Sequence, residues 1–266
     1  MGELIGVYAR LAQAQIRART RYRLSFALDL LATSMAVTLD LLTVLVFFRV
    51  TPTLGGFRLP EAFLIASLAS SGFALADMVC GNVRLHNVIR TGQLDTLLVR
   101  PLGVLPQLVA GDFAPRRIGR VVQATVALGV AVSAAHLRWS PAHLAMFVVA
   151  PLSGAVFFCS WFVAGATVAF WWIDSGEFAN GFTYGGRDFT TYPMTVYSGL
   201  FRRLFGYGLG FAFVAYYPAL VLLDRPDPLG GPAWLGWTAP LVATVAALLA
   251  WAIWRTGVRH YRSTGS

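Results

Sequence analysis

The sequence predicts an all-α, polytopic membrane protein with six transmembrane helices. Three observations lead there. Hydrophobic residues make up 57% of the 266 positions and charged residues only 12%, about half the charged share of a soluble domain. Mean hydropathy is +0.64. The chain also divides into six apolar segments, each near the length of about 20 residues that a helix needs to cross a hydrocarbon core of about 30 Å. A soluble fold of this length would leave much of that apolar surface exposed in patches. Disorder is excluded, because its signature is low hydrophobicity with high charge.

The elements follow in order. Residues 1–23 carry Arg10, Arg17, Arg19, Arg21 and Arg23, with Leu4, Val7, Tyr8 and Leu11 at spacings of three and four. This pattern predicts an amphipathic interfacial helix on the inner membrane surface. It lacks the apolar core of a secretory signal, so the long segment behind it is expected to be retained. The expected spans are 24–48, 62–79, 118–135, 144–172, 205–223 and 237–254. The fourth is long enough to tilt or break. The fifth contains Gly206, Gly208, Gly210 and Pro218, which mark an irregular helix. Between the spans lie a long inner loop at 81–117, a polar, glycine-rich loop at 174–203, and a turn-rich outer connector at 224–236. The whole of 1–266 reads as one membrane domain, with no internal repeat.

All 21 basic side chains are arginine, and 12 acids leave a formal charge of +9. With the N-terminus inside, 17 arginines fall on the inner side and four (Arg49, Arg58, Arg138 and Arg225) outside. That bias places both termini in the cytoplasm. The charge therefore reads as attraction to an anionic lipid surface and not to nucleic acid. Trp139, Trp234 and Trp237 near the outer ends, and Trp171, Trp172 and Trp254 near the inner ends, fit interfacial belts. The absence of lysine excludes a P-loop of the GKS or GKT type, a Schiff-base enzyme and a kinase-like ATP site in this chain. Cys80 and Cys159 sit in apolar surroundings, and the four histidines are scattered, so no metal site is expected.

The loop at 81–117 holds the most information. Leu85, Val88 and Ile89 fall on one helical face; Leu94, Leu97 and Leu98 do so again after the break at Thr91-Gly92. Pro101 cannot lie inside a helix. A short helix with an apolar face and charged flanks, held under the membrane, suits docking into a groove on a soluble partner. Lying on lipid headgroups explains the same pattern.

The run TGQLDTLLVRPL at 91–102 resembles the signature of the ABC-2 family of transporter permeases, in the branch whose membrane subunit is a short six-span chain without its own ATPase domain. Residues 192–202, running on to Tyr217-Pro218, and the ending 254–265 resemble the same branch. The resemblance covers nearly the whole chain, and its most specific part is G-x-L-D-x-L-L-x-R-P at Gly92 to Pro101. It implies an exporter-type permease subunit of an ABC transporter in a bacterial plasma membrane. Two permease chains, identical or different, would face each other above two copies of a separate ATPase. The chain itself would have no catalytic residue and no cofactor; ATP and Mg would be held by the partner. The loop after span two would supply the coupling helix, with Leu94, Asp95, Leu97, Leu98 and Arg100 as contacts to the ATPase. Gly92 would allow its sharp turn and Pro101 would end it. Short re-entrant helices between spans five and six would fall at 224–236.

Two acids lie in the first span. Asp29 and Asp40 are eleven residues apart, on one helical face and about 16 Å apart along the axis. An acid at mid-membrane is a functional-site hypothesis by default, so Asp40 reads either as a translocation-path residue or as an inter-helix hydrogen-bonding group. Asp29 reads as a partner for a nearby arginine, and Asp77 as one for Arg84. The aromatic residues between 157 and 217 would line an apolar cavity suited to hydrophobic or amphipathic cargo, or simply pack. The alternative to a transporter is a membrane anchor that recruits a soluble partner and moves nothing.

Overall fold

The computed structural model describes residues 51–81, 85–112, 117–172 and 175–261, together with scattered positions between 31 and 49. The expected interfacial helix at 1–23 lies outside the described residues, as do Asp29, Asp40 and Arg84. Among the described residues the chain is all-helical, and a lone antiparallel bridge between Leu54 and Phe57 closes one turn. The described α-helices of six residues or more are α1 (Leu59–Cys80), α2 (Leu85–Arg90), α3 (Gln93–Leu98), α4 (Val104–Asp112), α5 (Ile118–Ala134), α6 (Pro141–Thr167), α7 (Gly176–Thr190), α8 (Tyr216–Leu222) and α9 (Ala239–His260).

α1 is the centre of the bundle. Pro60 lies in its first turn, where a missing N–H costs nothing. The Arg58 N–H donates to the Glu61 carboxylate at 2.8 Å, tying down the helix start. From Ala62 to Ala76 nearly every residue is small or apolar and buried; a helix that is apolar all round must be covered all round. It packs on α5, α6 and α7. A Cβ on Gly72 would stand 3.0 Å from the Cα of Gly154 in α6. The two backbones therefore cross in contact, as small residues permit between membrane helices.

α6 starts at Ser140, whose Oγ accepts from the His143 N–H at 3.2 Å, and runs through Pro151 without breaking. A 3-10 turn, Val168–Phe170, extends it. α9 lies along α6, with Gly257 against Thr167 and Phe170. Three helices present apolar stripes at four-residue spacing to the outside: Ile118, Val122, Val126 and Val130 on α5; Leu144, Val148, Leu152 and Val156 on α6; Leu241, Val245 and Leu249 on α9. Leu31, Met35, Leu39, Leu42 and Val46, all helical, are exposed in the same way. Such continuous apolar faces suit lipid and not water.

Among the described residues, three stretches are long and apolar enough to cross a membrane: Leu59–Arg90, Pro141–Phe170 and Ala233–His260. Their positions agree with the second, fourth and sixth expected spans. α5 occupies the third, at 17 residues. The fifth is different. Residues 199–222 form a π-helical segment, Arg202–Gly208, then a 3-10 turn, Phe211–Phe213, then α8, and the two arms meet at 63°. The break is at Gly210, with φ +85°; a Cβ there would come within 2.8 Å of Val242 and 3.2 Å of Phe157.

Both ends of this bent pair lie at the Leu59 end of the bundle. Just before it, Thr195 Oγ1 donates to the Gly55 carbonyl at 2.7 Å. Just after it, Asp224 meets His143 at 3.0 Å and Arg225 meets Glu61 at 2.7 Å. Residues 199–222 thus enter and leave at one end, as a re-entrant hairpin. The expectation of a spanning helix at 205–223 is overturned, and so is the placing of the re-entrant element at 224–236, which forms turns followed by the 3-10 segment Ala233–Thr238.

The polar stretch 174–203 is likewise no loop. It contains α7, which begins at the Cys80 end with Gly176 against His86. Further along, Tyr184 donates to Asp77 at 3.0 Å and the Arg187 guanidinium covers the Phe73 ring at 5.3 Å. The chain then reaches Gly55 through Thr195. α7 and the residues after it therefore connect the two ends of the bundle.

Candidate functional site

At the Cys80 end, α2, α3 and α4 form a compact cap. Thr91 and Gly92 close α2 through hydrogen bonds to Asn87 and Ile89. Gly92 then takes φ +68° at the start of α3, a conformation that a side chain would strain. Leu85, Ile89, Leu94 and Leu108 are buried together with Val163, Ala169, Ala250 and Trp254, so the cap has its own core on the ends of α6 and α9. Gln107 reaches back from α4 and donates to the Leu97 carbonyl at 3.2 Å and the Leu102 carbonyl at 3.0 Å. These bonds clamp the turn after α3.

What projects from this base is narrow. Leu98 is 43% exposed and Val99 84% exposed, and Arg100 and Pro101 beyond them are also exposed. Leu94 turns the other way and is buried. Leu97 is half-buried against the cap core. Asp95 is half-buried and faces Tyr261 at the end of α9; burial first, and the Asp95 carboxylate second, push the Tyr261 phenol above its ordinary range. The expected contact residues therefore divide. Leu98 and Arg100 form an outward tip, joined by Val99, which the sequence reading missed. Leu94 and Asp95 hold that tip to the bundle.

A family model described as "ABC-2 family transporter protein" matches residues 34–265. The chain belongs to the ABC-2 transporter family. No curated protein matches it. The TGQLDTLLVRPL run of this ABC-2 protein coincides with the α3 tip and its clamp.

A second polar centre lies one helical layer inward. Asp77 is fully buried near the end of α1. Its carboxylate pairs with both Arg117 and Arg120 at the start of α5, and Arg117 also donates to the Asp77 carbonyl at 2.9 Å. Tyr184 completes the set. Gly81 makes it possible, since a Cβ there would collide with the Asp77 carboxylate and Arg117. The expected partner, Arg84, lies outside the described residues. The three described partners come from α5 and α7, 40 or more residues along the chain. A local spacing rule could not find them; the only hint was the Arg117/Arg120 pair at the foot of an apolar segment.

Most of the aromatic residues pack and do not line a cavity. Phe211 at the hairpin bend stacks on Trp161 at 5.5 Å and meets Phe157 and Phe189 edge-on. Gly186 leaves room for its ring. Beside this cluster an apolar pocket of about 380 Å³ opens between α6, α9 and the hairpin tip, lined by Trp161, Tyr207, Phe213, Val245 and Leu249 among others. Among the described residues no group of His, Cys, Asp and Glu is placed to hold a metal ion.

Proposed function

We propose that this ABC-2 protein is the permease subunit of an ABC exporter, driven by a separate ATPase that docks on the Leu98-Val99-Arg100 tip. One observation carries the reading: an apolar tip stands exposed on a base clamped by Gln107 and a private core. Covering a Leu side chain is worth about 1.5–3 kcal/mol, so a tip of this kind gains from a groove. A rigid base is what coupling requires, because a partner can shift the bundle only by binding one of its states better than another. A chain without lysine has no P-loop of its own, so the energy is assigned to the partner, with its ATP and Mg. The pocket beside the hairpin tip supports hydrophobic or amphipathic cargo.

The proposed topology keeps six spans and both termini in the cytoplasm of a bacterial inner membrane, with α7 as the fifth span. It moves Arg202 and Arg203 to the outer end and Arg187 into the bundle. The arginine split becomes 14 inside against six outside, still of the expected sign.

The test is co-purification with the ATPase and measurement of ATP hydrolysis in vesicles. Leu98→Asp is expected to reduce cargo-stimulated hydrolysis at least about tenfold, the equivalent of about 1.4 kcal/mol, while the chain remains in the membrane at its normal level. Unchanged stimulation overturns the docking assignment.

A further inference from the structure

A cavity of about 180 Å³ lies at the Cys80 end, between the end of α1, α2, the start of α5, the end of α6 and the start of α7. Neither the docking tip nor the cargo pocket uses it. Its lining includes His86, Arg117, Ser175, Gly176, Thr183 and Tyr184. The volume is several times the about 30 Å³ that one water occupies.

Four features of the wall point the same way. Ser175 is 1% exposed, and its Oγ has no hydrogen-bond partner among the described residues. That is costly for a buried hydroxyl, and its backbone angles (φ −73°, ψ −5°) do not let it cap its own helix. It stands at the N-terminus of α7, 15 residues long, where free N–H groups and the helix dipole favour negative charge. Arg117, in the wall, shares the carboxylate of Asp77 with Arg120, so among the described residues two guanidinium groups meet one carboxylate here. Finally, the His86 ring packs directly on Gly176, within 3.3 Å of where a Cβ would be, so an imidazole borders the same space.

We infer that this cavity binds a tetrahedral oxyanion of the phosphate class, either free phosphate or the phosphate of an anionic lipid. Ser175 donates its hydroxyl, the start of α7 contributes backbone N–H groups, and Arg117 supplies the charge. The anion joins α2, in the cap, to α1, α5 and α7. The binding claim stands whether or not the cap docks an ATPase.

The test uses the purified full chain in a neutral, phosphate-free detergent, with thermal unfolding followed against inorganic phosphate and, separately, in nanodiscs with or without phosphatidylglycerol. Sodium chloride at equal ionic strength is the control. A stabilisation by phosphate in detergent identifies the free ion. A stabilisation by phosphatidylglycerol alone identifies the lipid phosphate. Ser175→Ala removes an unpartnered hydroxyl, so it is expected to keep the unliganded melting temperature while weakening the response roughly tenfold or more, the scale of a hydrogen bond to a charged group. His86→Ala, which leaves the Asp77 cluster intact, is expected to weaken it less. No stabilisation by either anion, an equal effect of chloride, or an unaltered response in Ser175→Ala overturns the inference.

Discussion

α7 and the hairpin at 199–222 exchange the roles that their compositions predict. The hairpin is the more apolar, with Leu200, Phe201, Leu204, Phe205 and a run from Leu209 to Leu223, yet it bends by 63° and returns to the end it came from. α7 carries Glu177, Thr183, Tyr184, Arg187, Asp188 and Thr190, yet it links the two ends of the bundle. Hydropathy counts the transfer cost of a side chain as if it stood alone. In α7 that cost is met inside the protein: Thr183 and Thr190 donate to backbone carbonyls in their own helix, Tyr184 donates to Asp77, and Arg187 covers Phe73. In the hairpin, Gly210 lets the chain turn among aromatic rings, and apolar character serves packing and not crossing.

The sharpest way to break this comparison is to ask which side each segment reaches. In a background with Cys80 and Cys159 replaced, a cysteine at the exposed Ser198 is expected to react with an impermeant maleimide on intact cells. One at the exposed Glu177 is expected to react only after the membrane is opened. Labelling of both from the same side would show that α7 does not cross.

A smaller effect tests what keeps a polar helix in the bundle. Asp77→Ala leaves two arginines facing each other with no carboxylate, and loss of one partner of a buried pair costs about 3–5 kcal/mol. The expected result is a large drop in melting temperature or in folded yield, read by size-exclusion fluorescence. Near-normal stability would mean that α7 is held by its apolar contacts alone.

The smallest effect concerns the bend. Gly210→Ala meets both the positive φ and the Val242 contact, for a cost of about 1–3 kcal/mol. Thermal unfolding is expected to report it, with labelling at Ser198 unchanged.

Much of the fold was legible in the sequence. The bounds of α1 and α5 fall within three residues of the expected spans and those of α6 and α9 within six, because each is a long apolar run. The turn at Gly92 was legible because its backbone requirement is local. The direction of Leu94 was not: it shares a helical face with Leu98 by spacing, but in a helix of six residues the cap core takes one and leaves the other out. Nor was the Gly72–Gly154 crossing, since a lone glycine in an apolar run does not announce what approaches it.

The sequence by itself determined the solvent this chain is built for, its helical class, the family motif and the absence of an internal P-loop, all of which follow from composition and short-range spacing. The tertiary structure alone decided which apolar stretch turns back, which polar stretch runs between the ends, what Asp77 pairs with, and which of the α3 leucines faces outward. Those outcomes depend on partners 40 to more than 100 residues away, and only packing shows whether a polar group has found its hydrogen bonds inside the protein.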